Sequence, residues 1–269
     1  MVVIPTIFEM ESCGSTMDEA KRYILSHGNI HDWDSGASIA FITKYQESGR
    51  GRFPKRQWVS PKGLSLLTTI VLSPSAIGVE PHLFSLYIGY LLRNVLEKQG
   101  AKATIKWPND VLCNGKKISG ILCQQIVMGK KLLVSCGIGL NLLQKHFCDN
   151  PIIASNDEEK YLKQKFEPTS LFLETKNEVM PKVILNDLLS ALSVQAKVDW
   201  LKELQQQLYG IEHEIVFLVG DESNCGKKKF IEGRYVGIGQ NGGILIKQKK
   251  SEEVDIKEFV SGEIVKIFP

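Results

Sequence analysis

The sequence has no apolar run long enough to cross a membrane. Its longest uncharged stretch, Gly63 to Val79, contains Gly, Ser, Thr and Pro and falls short of the ~20 apolar residues that a span requires. It reads as a strand plus a turn. There is no basic N-terminal region followed by an apolar stretch, because Glu9 and Glu11 interrupt the first short apolar run, so no secretory signal is expected. The same segment is acid-rich and poor in arginine, which excludes a transit peptide. The six cysteines (Cys13, Cys113, Cys123, Cys136, Cys148 and Cys225) form no CxxC pair and keep no regular spacing. A zinc site or disulfide framework is therefore not expected, and reduced thiols in a cytoplasmic protein are. No internal repeat or low-complexity stretch is present. Net charge is only +3, too little for nucleic acid or an anionic membrane to be the main partner.

The 269 residues are 43% apolar and 23% charged, the balance of a globular chain of one large or two smaller domains. Val2–Phe8 reads as a strand. Ser15-Thr16-Met17-Asp18-Glu19 places hydroxyls before acids, a helix start, with the helix running to His27 and Gly28 beyond it. Residues 37–43 read as a buried strand and 64–72 as another strand, with a loop from Lys44 to Gln57 between them. Leu83, Leu86, Tyr87, Tyr90, Leu91 and Val95 recur at helical steps within a helix over 81–99, ended by Gly100. Asn114-Gly115 between short strands is a hairpin turn, and Met128-Gly129-Lys130 turns into a strand over 132–142. Neighbouring hairpins predict an antiparallel sheet segregated from its helices, an α+β arrangement. Residues 144–168 read as a surface loop and 169–208 as mostly helical. From Gly210 onward short strands follow one another, with nine basic and ten acidic residues over 211–269, which suggests a small β-barrel. The expected domains are residues 1–210 and 211–269.

Three segments carry chemistry. Between Lys44 and Lys62 stand six basic residues and one acid. Glycines alternating with arginines in Gly49-Arg50-Gly51-Arg52 allow a close backbone approach to an anion while guanidiniums hold its oxygens. The GxxxxGK[ST] phosphate loop is absent, and by Gly and Arg content alone a flexible basic surface loop is the simpler reading. The second segment is Lys106-Trp107-Pro108-Asn109-Asp110 followed by Lys117-Ile118-Ser119-Gly120-Ile121-Leu122. Pro-Asn-Asp is ordinary turn chemistry. A strict period of two puts Lys117 with Ser119 and Ile121, on the face opposite Gly120. Lys117 is then an anion ligand or an edge residue, and Gly120 a close approach or a local twist. The third is Gly137-Ile138-Gly139-Leu140-Asn141, whose two glycines clear one strand face either for a flat apolar ligand or for a packed helix.

In this order, Ser-Thr, Tyr-Gln-x-x-Gly-Arg-Gly-Arg with Trp58, Lys-Trp-Pro-Asn-Asp, Lys-Ile-Ser-Gly-Ile-Leu and Gly-Ile-Gly-Leu-Asn, the chain resembles the biotin protein ligases, or holocarboxylase synthetases. The resemblance spans Ser15 to Asn141 and resumes at Gly233–Gly243 and Phe259–Ile264. It implies a mixed, mainly antiparallel sheet of the class II synthetase-like type, with helices packed on it, and a small C-terminal SH3-like β-barrel. It also implies ATP-dependent formation of biotinyl-5′-AMP and transfer of biotin to a lysine of carboxylase carrier domains. Biotin, ATP and Mg²⁺ are the implied ligands, with no metal ligand assigned directly and no DNA or membrane partner. A homodimer is left open. Because the pattern starts at Ser15, no N-terminal helix-turn-helix is expected.

By the resemblance, Ser15, Thr16, Met17, Gln46, Arg50, Gly51, Arg52, Lys117 and Gly120 bind biotin. Arg52, Lys55, Arg56, Trp58, Asn109, Asp110 and Asn141 bind ATP, with either Lys55 or Arg56 at the triphosphate. Lys117, Arg50 and Arg52 are the catalytic set, because two anions must meet and their repulsion needs cancelling. The loop Ser48–Pro54 is expected to be mobile in the free protein, its arginines repelling one another, and to become ordered over the adenylate. A lipoate ligase using the same adenylate chemistry and an RNA-binding module are the competing readings.

Overall fold

The computed structural model describes residues 5–27, 31, 33, 38–53, 56–147, 166–220, 229–250 and 253–268. Seven strands form the larger sheet: β1 Thr6–Met10, β2 Ile39–Thr43, β3 Ser65–Leu72, β4 Ala103–Lys106, β5 Asp110–Cys113, β6 Lys116–Met128 and β7 Lys131–Asn141. Their spatial order is β1-β2-β3-β7-β6-β5-β4. Every pairing is antiparallel except β1 with β2, which is parallel. The antiparallel expectation therefore holds for all but the first strand, which needs a crossover helix to run beside β2 in the same direction.

That crossover is α1, Thr16–His27. Asp18 and Glu19 stand in its first turn, where carboxylates complement the positive end of the helix. Its buried residues Thr16, Met17, Ala20 and Ile24 form one stripe. Ala20 and Ile24 meet Ile39, Phe41, Val71 and Leu133 on one sheet face. The opposite face packs on α3 (Phe84–Lys98) and α5 (Pro181–Leu192) through Ile42, Leu66, Ile70, Ile88, Leu92 and Leu188. With helices on both sides, β2 and β3 are buried along their whole length, which is why neither shows the apolar–polar alternation of a half-exposed strand. Short helices α2 (Pro74–Ile77), α4 (Leu171–Thr175) and α6 (Trp200–Gln205) complete the first part of the chain.

The last five strands are β8 Glu214–Val219, β9 Lys229–Ile238, β10 Ile244–Lys250, β11 Glu253–Phe259 and β12 Gly262–Ile267. They form an antiparallel sheet in the order β11-β10-β9-β8-β12. The architecture is thus mixed α+β with an all-β C-terminal sheet. The hydrophobic core is continuous between the sheets: Phe217, Tyr235, Ile244 and Ile264 belong to the cluster that contains Trp107, Leu83 and Leu86. Trp107 is the anchor. Its ring is 1% exposed, its centroid lies 5.7 Å from that of Phe217, and its Nε1 donates to the Gly242 carbonyl at 2.9 Å.

The segment 144–168 is not simply a surface loop. Gln144 is buried, and its Nε2 donates to Ser65 Oγ at 2.6 Å and Asn141 Oδ1 at 3.0 Å. At the other end, the backbone of Lys117 is bracketed by Glu167 and Thr169, at 2.7 and 2.9 Å. Residues 148–165 lie outside the described residues, as do Lys55, Cys148 and Cys225.

Candidate functional site

A cavity of about 140 Å³ opens on the α1 face of the larger sheet. Its sheet-side wall follows from strand register. Lys106 pairs with Asp110, Asp110 with Gly120, and Gly120 with Gly139, so one row crosses four strands. The neighbouring row runs Leu122, Gly137, Thr69. Lys117 joins this face for a reason that alternation misses. Leu112 pairs with Lys117 but Val111 pairs with Ser119, so Ile118 is the extra residue of a β-bulge. The bulge turns Lys117 onto the Gly120 side, where a Cβ built on Gly120 would stand 3.6 Å from Lys117 Cε. Lys117 Nζ lies 2.7 Å from Asp110 Oδ1.

The N-terminus of α1 closes one end. Ser15 and Thr16 are each 2% exposed. Gln46 Oε1 accepts from the Thr16 N–H at 2.8 Å and from its hydroxyl at 3.0 Å, and Thr69 Oγ1 donates to Thr16 Oγ1 at 2.8 Å. The two glycines of β7 have different neighbours. A Cβ on Gly137 would stand 2.8 Å from Met17 Sδ of α1, and one on Gly139 would run into the Trp58 indole. Helix packing explains the first. At the second, the protein's own flat ring lies in the cleared space.

The Arg-Gly segment is a small hairpin. Gly51 N donates to Arg56 O at 2.8 Å, and Trp58 N to Gly49 O at 3.0 Å. Gly49 is required because a side chain there would collide with the Trp58 carbonyl. Its arginines have partners within the protein, which offset the repulsion between them. Arg50 forms a bidentate pair with Asp18 at 2.7 and 2.9 Å. Arg52 donates to the Gly262 carbonyl. Arg56 grips Glu263 through both oxygens at 2.8 and 3.0 Å. The guanidiniums of Arg52 and Arg56 both lie over the ring of Phe53, which is 4% exposed, at 4.6 and 4.5 Å from its centroid, in cation–π contact.

Ser15, Thr16, Met17, Gln46, Arg50, Gly51, Arg52, Arg56, Trp58, Asn109, Asp110, Lys117 and Gly120 all line this cavity. Asn141 does not. It is 5% exposed, donates to the Thr169 carbonyl at 3.0 Å and accepts from Gln144 at 3.0 Å, so its amide braces the end of β7. Asn109 lines the cavity, but its Nδ2 donates to Ile121 O at 2.8 Å and ties the Pro-Asn-Asp turn to β6. Sequence reasoning left out Lys106, 3% exposed with its Nζ 4.9 Å from the Phe166 ring centroid. It also left out Glu263, which reaches the cavity from β12. Lys106 was visible in its motif as a lysine abutting a buried Trp. Glu263 is more than 200 residues from Arg56, and no local signal links them.

Among the described residues no three His, Cys, Asp or Glu cluster as a metal centre. Asp110 and Glu263 are the carboxylates of the cavity. That donor set fits a cation held mainly by phosphate oxygens and water, as Mg²⁺ commonly is.

Residues 12–141 match the Biotin/lipoate A/B protein ligase family. Biotin--protein ligase 2 of Arabidopsis thaliana is 39% identical over 107 residues, 38% of this chain and 32% of the relative. The chain thus spans about a third of the length of the plant relatives it matches. The bifunctional ligase/repressor BirA of Escherichia coli is 27% identical over 261 residues, 92% of this chain and 71% of the relative. The Aquifex aeolicus biotin protein ligase in complex with biotin and ATP superimposes with a TM-score of 0.69 at 26% identity, covering 96% of this chain and 97% of that one.

Proposed function

We propose that the chain is a member of the biotin/lipoate A/B protein ligase family, whose model matches residues 12–141, and that it activates biotin with ATP and transfers it to a specific lysine of carboxylase carrier domains. The observation that carries this reading is the polar lining of the cavity. Around the start of α1 stand the Ser15 and Thr16 hydroxyls and the Gln46 amide, with Arg50 held beside them by Asp18, while Arg52 and Arg56 reach towards β12 and Lys106 and Lys117 rise from the sheet. A ureido ring both donates and accepts hydrogen bonds and suits the hydroxyls and the amide. A carboxylate meeting a triphosphate needs the cations.

In the activation step a biotin carboxylate oxygen attacks the α-phosphorus, the bond to the bridging oxygen breaks, and pyrophosphate leaves. Lys117 sits between the two anions and offsets their repulsion. Arg52 and Arg56 take the phosphates once these displace Gly262 O and Glu263. Trp58 moves off Gly139 and covers the bound ligand. Mg²⁺, when bound, would neutralise phosphate charge, and Asp110, now paired with Lys117, would be the carboxylate to hold it. In the second step the carrier lysine's amine attacks the acyl carbon and AMP leaves. The domain boundary lies near Gly210, and the C-terminal sheet completes the phosphate site through Glu263 and Gly262. A cytoplasmic location belongs to the same proposal. Among the described residues no helix is long and apolar enough to span a membrane.

A lipoate ligase shares the phosphate chemistry, but a dithiolane ring has no use for the hydroxyls and the amide. Pyrophosphate exchange into ATP is therefore expected to depend on biotin and ignore lipoate. Lipoate-dependent exchange would reverse the assignment. An RNA-binding module needs its cations on an open stripe, whereas here they converge on one cavity.

Arg52→Gly removes a guanidinium that spans from Phe53 to Gly262. The variant is expected to retain part of the activation step but to shed biotinyl-5′-AMP. Lysines of unrelated proteins should then become labelled, since closure no longer protects the mixed anhydride. Loss of synthesis with no rise in released adenylate would make Arg52 a phosphate ligand and not a lid.

A further inference from the structure

Cys123 on β6 and Cys136 on β7 are direct cross-strand partners, with their sulfurs 3.5 Å apart. We infer that this pair is an oxidation site, at which a peroxide forges a Cys123–Cys136 disulfide across the sheet that floors the ligand cavity.

Directly opposed residues of an antiparallel pair have Cα atoms roughly 4.5–5.5 Å apart, within the 4.4–6.8 Å span of disulfides. Their side chains share a face. The sulfurs need close by only about 1.5 Å to reach bonding distance. The two thiols also differ in access. Cys123 is half-buried and lines a second cavity of about 230 Å³ beside Pro81, His82, Ser85 and Gln125. Cys136 is fully buried with Val134 and Ile138, and burial beside Cys123 pushes its thiol well up. Without a third His or acidic partner among the described residues, the pair is not a metal site.

Cys123 thiolate attacks one peroxide oxygen. The O–O bond breaks, leaving a sulfenic acid and hydroxide, which becomes water on taking a proton. Cys136 sulfur then attacks Cys123 sulfur, the S–O bond breaks, and the hydroxyl leaves as a second water with the Cys136 proton. Two thiols lose two electrons, and one peroxide becomes two waters.

The bridge lies on the face that packs on α3 and α5, one register step from Leu122 and Gly137, which line the ligand cavity on the α1 face. Gly137 sits so near Met17 that a Cβ on it would stand 2.8 Å from the Met17 sulfur, so drawing β6 and β7 together there shifts the cavity wall. The effect on activity rests on the proposed ligase reading, whereas formation of the bridge does not.

The test treats the reduced full-length protein with equimolar hydrogen peroxide, alkylates free thiols and maps peptides by mass spectrometry. The expected product is a Cys123–Cys136 cross-linked peptide about 2 Da lighter than the paired thiols. Biotin-dependent pyrophosphate exchange should fall at least fivefold and return with dithiothreitol. Cys123→Ala and Cys136→Ala should match the untreated protein before peroxide and keep that activity after it. Cys123→Ala guards against a folding defect in the more buried variant. A sulfinic acid at Cys123 without a cross-link, or a bridge between other cysteines, would overturn the site. A Cys123–Cys136 bridge with unchanged exchange would overturn its effect on the cavity. If even the reduced protein shows no biotin-dependent exchange, the ligase reading fails while the peptide map still decides the bridge.

Discussion

Lys117→Ala is expected to lower biotinyl-5′-AMP formation by about 100-fold or more, the scale for removing one donor aimed at transition-state charge. The bulge at Ile118 brings the ammonium onto the cavity face beside Gly120, and Asp110 holds it there at 2.7 Å. The fold should survive. The Lys117 side chain is 34% exposed and that of Asp110 16%, so the lost pair costs on the order of 1 kcal/mol after solvent screening. The backbone links to Glu167 and Thr169 do not depend on the side chain. Asp110→Asn provides the comparison. It releases the ammonium but also removes the carboxylate proposed for Mg²⁺, so exchange should fall at limiting Mg²⁺ and recover in part when Mg²⁺ is raised, which Lys117→Ala should not do. Pyrophosphate exchange and thermal denaturation of the three proteins measure both effects. Near-normal exchange in Lys117→Ala would return this lysine to the role of a strand-edge residue.

Trp107→Ala is expected to produce the largest loss of stability. Truncating a fully buried aromatic costs about 3–5 kcal/mol, a large part of the 5–15 kcal/mol typical of a folded domain. Here the indole also carries the hydrogen bond to Gly242 and the contact with Phe217, so the damage falls where the two sheets meet. A drop in Tm of about 10 °C or more is expected. Arg52 and Arg56 should lose their partners on β12 together with it. Trp107→Phe keeps most of the ring but no donor, and its loss should be roughly half as large. A Tm within 2 °C of the parent for Trp107→Ala would mean that the sheets are held together elsewhere.

What the sequence determined by itself was local. Helix α1 announces its start through Ser15, Asp18 and Glu19, and α3 through its apolar period. The hairpin at Asn114-Gly115 needs two left-handed residues, and Asn114 and Gly115 adopt φ of 49° and 75°, the pair that a type I′ turn requires. These signals arise between residues a few positions apart, so a linear reading finds them. The order of motifs was equally legible, and most of the residues it singled out line one cavity.

The tertiary structure alone decided the rest. Strand periodicity placed Lys117 away from Gly120, and a register shift against β5 reversed that. Asn141 carries the same amide whether it faces a nucleotide or a buried carbonyl. Thr169 and Gln144, which settle the matter, arrive from a different segment. The parallel pairing of β1, the Trp58 ring over Gly139 and the grip of Glu263 on Arg56 likewise depend on distant partners. Such contacts form because the chain must bury its apolar faces and satisfy the polar groups carried in with them. Which group meets which is a property of the packed whole, and no stretch of sequence contains it.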